Sequence, residues 1–142
     1  MESRLVTMSF FGSVSASSKN TLVSEYINVP FRTRVVRASF APGVNRLMKL
    51  YFFISQDKEA PTTEEPKGTN LFAQLGQVRY ITGDDEFKEF PHQVPYHEAG
   101  SYLKIYAVND DTYDHTIDCQ ITIELLEAGG WQEFKESQKA QE

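Results

Sequence analysis

The stretch His115–Leu126, "HTIDCQITIELL", constrains the fold more than any other part of the chain. Ile117, Cys119, Ile121, Ile123 and Leu125 alternate with Thr116, Asp118, Gln120, Thr122 and Glu124. Successive side chains of an extended backbone point to opposite faces, so this period of two predicts a strand with one face in a core and one in water. Related segments recur along the chain, each closed by turn residues: Arg4–Phe11, Thr21–Val29, Phe31–Ala41, Arg46–Ser55, Gln77–Gly83, Glu86–Val94 and Ser101–Asn109. The centre of Arg46–Ser55 is almost wholly apolar, as expected of a strand covered on both faces.

Eight such segments without a long helical pattern predict an all-β fold, an antiparallel two-sheet β-sandwich of about eight strands. A jelly roll is one topology that fits, and the strand order stays open at this stage. A chain of 142 residues suits a single core. The sandwich is expected over residues 1–127. Residues 128–142 form a charged tail in which Trp131 and Phe134 stand at helical spacing after a Gly-Gly break. A short amphipathic helix there would lay both rings on this domain or on another subunit.

The acidic run "NDDTYD", Asn109–Asp114, lies between two strand patterns. A helix–loop–helix calcium site needs glycine at the sixth position and glutamate at the twelfth. Counting from Asp110 places His115 and Ile121 there, so the pattern fails twice. Asn and Asp accept left-handed backbone angles and bond their own main chain, which makes a hairpin turn the reading of choice. An irregular calcium site recruiting Asp84 or Asp85 is the alternative. His92, His97 and His115 lack the alternate-residue spacing of ligands on a strand, and no metal or other cofactor is expected.

The sequence contains no nucleophile elbow, phosphate loop or zinc-protease motif. Its one cysteine, Cys119, falls on the inward face of a strand with no base beside it. Catalysis is therefore not expected. A net charge of −6 argues against nucleic-acid binding. No stretch reaches the roughly 20 apolar residues of a membrane helix, and the start lacks a secretory pattern. A cytoplasmic or virion-associated protein is the expectation.

Charge is unevenly spread. Residues 1–55 hold seven basic and two acidic side chains, whereas residues 56–142 hold seven and eighteen. Interleaving of strands from the two halves would average this out; separate surfaces would steer copies together. Arg32 and Arg34 fall on one side of a strand, with Arg37 or Arg46 as possible extensions, and are candidates for a protein partner. The polar segment Gln56–Asn70 is either an arm reaching a neighbour or a crossover. These features point to a non-catalytic structural protein that associates with itself or with a larger lattice, such as a phage-type virion. The alternative is a carbohydrate-binding module, in which Tyr113 and Trp131 would stack on sugar rings. An enzyme of unfamiliar type ranks third.

Overall fold

The computed structural model describes residues 4–71, 79–91 and 100–125, leaving aside the side chains of Arg4 and Pro91. Eight strands follow in order: β1 (Arg4–Val14), β2 (Ser18–Val23), β3 (Phe31–Phe40), β4 (Met48–Ser55), β5 (Thr69–Asn70), β6 (Glu86–Pro91), β7 (Tyr102–Asn109) and β8 (His115–Leu125). They form two antiparallel four-stranded sheets, β1-β8-β3-β6 (sheet A) and β2-β7-β4-β5 (sheet B). Consecutive strands alternate between the sheets from β1 to β4, and the last strand returns between the first and the third. That interleaved order is the double Greek key of a jelly roll.

The alternation read in β8 holds along the strand. Ile117, Cys119, Ile121, Ile123 and Leu125 are buried, and with Val36 of the same sheet they share one continuous core with Phe52, Leu103 and Ile105 of the other. Burial pushes the Cys119 thiol up to about 12, with Asp118 adding to the rise. Such a thiol is inert at neutral pH.

Four segments depart from the sequence reading. Gly12 reads as a strand end, yet β1 runs through it to Val14 in unbroken register with β8. A Cβ at Gly12 would sit 3.0 Å from Leu22 Cδ2, so the glycine serves to let β2 pack against β1. The Ser-rich run expected to be a loop thereby shrinks to the turn Ser15–Ser17.

The strand expected at Gln77–Gly83 is replaced, in its described part, by one bridge. Ile81 exchanges two 2.9 Å backbone hydrogen bonds with Leu50. The fifth strand is Thr69–Asn70, which pairs with Phe53 and Ile54 inside the segment expected to be loop. Gly68 makes this approach possible: its φ is +134°, and a Cβ would lie 2.2 Å from the Ile54 carbonyl oxygen. Asn70 Nδ2 donates to the Arg79 carbonyl at 2.8 Å, so both short pieces share one edge of β4. Finally, β2 stops at Val23 rather than Val29, and the chain continues irregularly to a bridge between Ile27 and Ser101.

Candidate functional site

The outer faces of the two sheets differ. On sheet B, the outward side chains of β4 and β7 are Lys49, Tyr51, Phe53 and Ser55 opposite Val108, Tyr106, Lys104 and Tyr102. Such positions ordinarily meet water, yet Lys104 is 0% exposed, Tyr106 2% and Phe53 3%. Their cover is the segment between β4 and β5. Asp57 Oδ1 accepts from Lys104 Nζ at 2.6 Å, and the Pro61 carbonyl accepts from Thr21 Oγ1 at 2.6 Å on β2. The segment then returns over the tyrosines to a buried Pro66. Glu65 is fixed on the way by Arg79 at 2.8 Å.

This corrects the reading of Gln56–Asn70 as an arm directed at a neighbour, because the segment lies on its own sheet. The reason is that Lys104 and the Tyr51–Tyr80–Tyr106 ring cluster, with centroids 5.4 and 5.5 Å from Tyr51, offer an ion-pair partner and an apolar seat. Burial holds the Tyr51 and Tyr106 phenols above their usual range. The hydrogen bond from Lys104, joined by the Glu59 amide, holds the Asp57 carboxyl below its usual range.

Sheet A presents its outer face to water. Leu5 (67% exposed) and Phe11 (76%) project from β1, and Phe87 (61%) projects from β6. Phe11 lies opposite Asp118 on β8, and Phe87 lies opposite Ser39 on β3. Both rings are therefore near the same end of the sheet, on its two opposite edges. Between them is a shallow depression of about 80 Å³ lined by Arg37, Ser39, Phe87, Asp118 and Gln120.

The arginines of β3 run along the middle of this face. A bulge between Thr33 and Val35 shifts the alternation by one residue. It keeps Val36, Ala38 and Phe40 inward and turns Arg37 to the side that Arg32 and Arg34 already occupy. Strict alternation would have put Arg37 in the core. Two guanidinium groups are hydrogen-bonded within the sheet, Arg34 to Glu124 at 3.0 Å and Arg37 to Glu89 at 2.6 Å and Thr122 at 3.0 Å, while Arg32 Nε lies 3.8 Å from Glu124 and has no hydrogen-bond partner among the described residues. Arg46 and Lys49 approach Glu86 and Asp110 at 3.8 and 3.7 Å. Among the described residues, basic side chains of the first half thus meet acidic ones of the second half across strands.

The acidic run is a turn organised by Asn109, but not the hairpin expected: β7 and β8 lie in different sheets, so the turn carries the chain from one sheet to the other. Asn109 Nδ2 donates to Tyr113 O at 2.8 Å and to Val14 and Ser15 carbonyls at 3.3 and 3.2 Å, while its Oδ1 accepts from the Asp111 amide. Asp111 Oδ2 is 2.8 Å from His115 Nε2, and Asp114 Oδ1 accepts from the Ala16 amide. The His115 hydrogen bond, with the Thr112 amide, holds the Asp111 carboxyl low. Asp84 Oδ1 ties Gly43 and Asn45 amides at 3.0 Å in the turn between β3 and β4. These carboxylates cap backbone amides and bind loop to loop. Among the described residues no cluster of metal-ligating side chains is assembled.

Tyr113 stands 71% exposed at the tip of this turn. Trp131 and Phe134, like His92 and His97, lie outside the described residues. The exposed phenylalanines Phe11 and Phe87 are missing from the sequence-based candidates. Phe11 carried a signal, since it breaks the alternation at Phe10-Phe11, where only one ring can face the core. No helix among the described residues is long and apolar enough to cross a membrane.

No family model matches the chain, and no curated protein matches it. Solved structures to which the chain is similar include a Yersinia pseudotuberculosis-derived mitogen, at 10% identity and a TM-score of 0.44, covering 87% of this chain and 88% of that one. A protein of the disulfide-linked pili that form Bacillus endospore appendages is similar at 11% identity and a TM-score of 0.46, covering 90% and 93%. The major capsid protein of bacteriophage PM2 is similar at 14% identity and a TM-score of 0.41, covering 89% of this chain and 46% of that one. The jelly roll itself rests on the strand order.

Proposed function

We propose that this protein is a non-catalytic assembly module, which associates with copies of itself or with a repeated array such as a virion shell. The observation that carries the reading is the contrast between the outer faces. Sheet B is sealed by its own chain, whereas sheet A displays Leu5, Phe11 and Phe87, each more than 60% exposed. The three stand apart, Leu5 and Phe11 at separate points of β1 and Phe87 on the opposite edge, and are read as separate apolar anchors rather than one patch. The potentially reactive groups support the same reading. Asp57, Asp84, Asp111 and Asp114 are occupied in holding loops, and Cys119 is buried with its thiol proton retained.

Size-exclusion chromatography with light scattering, at several protein and salt concentrations, tests the reading. Mass rising with concentration, and falling back in a Phe11→Ser/Phe87→Ser double variant, is the expected outcome. A monodisperse monomer throughout, with no partner recovered by affinity capture from its own cell or virion, would refute it.

A further inference from the structure

The four free edges of the two sheets are not equally defended. Natural proteins blunt edge strands with charges, prolines, bulges or shortness, because an open edge invites pairing with another chain. On sheet B, β5 has only two residues, and β2 has six, with Lys19 among them. On sheet A, β6 reads Glu-Phe-Lys-Glu-Phe-Pro and carries three charges and a proline in six residues. β1 has none of these devices from Leu5 to Val14: "LVTMSFFGSV" contains no charge and no proline. Its register with β8 runs without a bulge from Arg4↔Leu125 to Val14↔His115.

Among the described residues β1 pairs with β8 alone. Its Val6–Phe10 stretch borders a groove of about 310 Å³ that separates it from Val23–Glu25 of the other sheet. Close packing by β2 is reached only further along, where Leu22 sits on Gly12. As far as the described residues go, the backbone groups on the outer side of Val6–Phe10 are thus approachable by another strand.

From this we infer that β1 is a homotypic docking edge, pairing antiparallel with β1 of a second copy about a two-fold axis through Met8. The inference rests on the assembly reading and names its partner. Self-complementarity selects a second copy over an unrelated strand. With Met8 opposite Met8, Thr7 faces the partner's Ser9, and exposed Leu5 faces the partner's exposed Phe11. All four side chains project from the outer face, so the two most solvent-exposed aliphatic and aromatic side chains of β1 cover each other as cross-strand pairs. No charge lies within Leu5–Val14, so the net charge of −6 on each copy brings no like charges to the seam. Joining the edges makes one eight-stranded sheet from two four-stranded ones, an isologous contact that closes on itself. Main-chain hydrogen bonds supply affinity in such strand addition, and the flanking side chains set register.

Directed cross-linking of the full-length chain tests this register. Residues opposite each other in antiparallel strands have Cα atoms about 4.5–5.5 Å apart, within disulfide range, whereas diagonal neighbours do not. Thr7→Cys and Ser9→Cys proteins, mixed and gently oxidised, are expected to form a mixed disulfide dimer. Either variant alone is expected to give little, and buried Cys119 adds no background. Ser9→Lys, on the exposed face of β1, is expected to abolish the dimer-mass species while leaving the thermal midpoint of the dilute monomer unchanged. The wild-type dimer should persist at high salt, because its seam is uncharged.

A dimer that resists Ser9→Lys and yields no mixed disulfide would overturn the edge pairing yet leave the assembly reading standing on another surface. A monomer at every concentration would overturn the pairing. If β1 amides 6–10 of that monomer are strongly protected from exchange, the edge is occupied within the chain itself, which equally overturns it.

Discussion

The two outer faces start from similar material and end in opposite states. β7 offers Tyr102, Lys104 and Tyr106 on the outside of sheet B, and β1 offers Leu5, Thr7, Ser9 and Phe11 on the outside of sheet A. A thirteen-residue connection, 56–68, lies across the first set and makes it a second, minor core. No described segment crosses the second set. The lesson is that exposure on a sandwich is decided by where the long connection falls as much as by the pattern within each strand.

The contrast is broken most forcefully by removing the ion pair that anchors the cover. Asp57→Ala leaves the Lys104 ammonium buried without its partner. Loss of one member of a buried pair costs about 3–5 kcal/mol, and the partial exposure of Asp57, at 39%, places the expected loss near the lower figure. Urea unfolding measures it. The companion substitution Lys104→Met is expected to cost much less, since it removes both the charge and its need.

Thr21→Val removes the hydroxyl that reaches Pro61 and tests the far end of the cover. A loss of about 1 kcal/mol is expected by the same measurement. Acid sharpens the comparison in another way. The Asp57 carboxyl is held below its usual range in the folded chain, so its contribution is complete above the ordinary carboxylate pKa and is lost as pH falls through the lowered folded value. Stability should therefore fall below about pH 4, and Asp57→Asn should flatten that limb. Asp111 titrates in the same direction through its hydrogen bond to His115 and preserves part of the slope.

The smallest stability effect is expected on the bare face. Phe11→Ser and Phe87→Ser remove side chains that touch water, so each should shift unfolding by no more than about 0.5 kcal/mol. Their effect should appear in association instead. A loss comparable to that of Asp57→Ala would mean that these rings are packed against something within the chain.

Much of this architecture was legible in the residues. The alternation of Ile117–Leu125 marked a half-buried strand, and the turn residues around it marked a sandwich. The strand order was not legible, because pairing β8 between β1 and β3 joins segments about a hundred residues apart and leaves no local trace. β5 escaped notice since two residues have no period; Gly68 and the Phe53–Ile54 edge create it. Arg37 was offered as an extension of the Arg32–Arg34 side, a position that strict alternation does not give and that the bulge after Thr33 supplies. Lys104, placed by alternation on the outer face, reads as a solvated lysine, and only the fold brings Asp57 over it. The turn at Asn109–Asp114 was legible as a turn, but Asn109's bonds to Val14 and Ser15 join two loops remote in sequence. Phe11 and Phe87 became candidates only when the outside of sheet A proved to be uncovered.

Hydroxyl-radical footprinting of the full-length chain, dilute and concentrated, tests the contrast between the faces most directly. Phe11 and Phe87 should be oxidised readily in the dilute monomer, and Phe11 should become protected as the mass increases, while Phe53 and Tyr106 stay protected in both states. Fast oxidation of Phe53 and Tyr106 in the monomer, or a Phe11 equally reactive in monomer and assembly, would contradict the account.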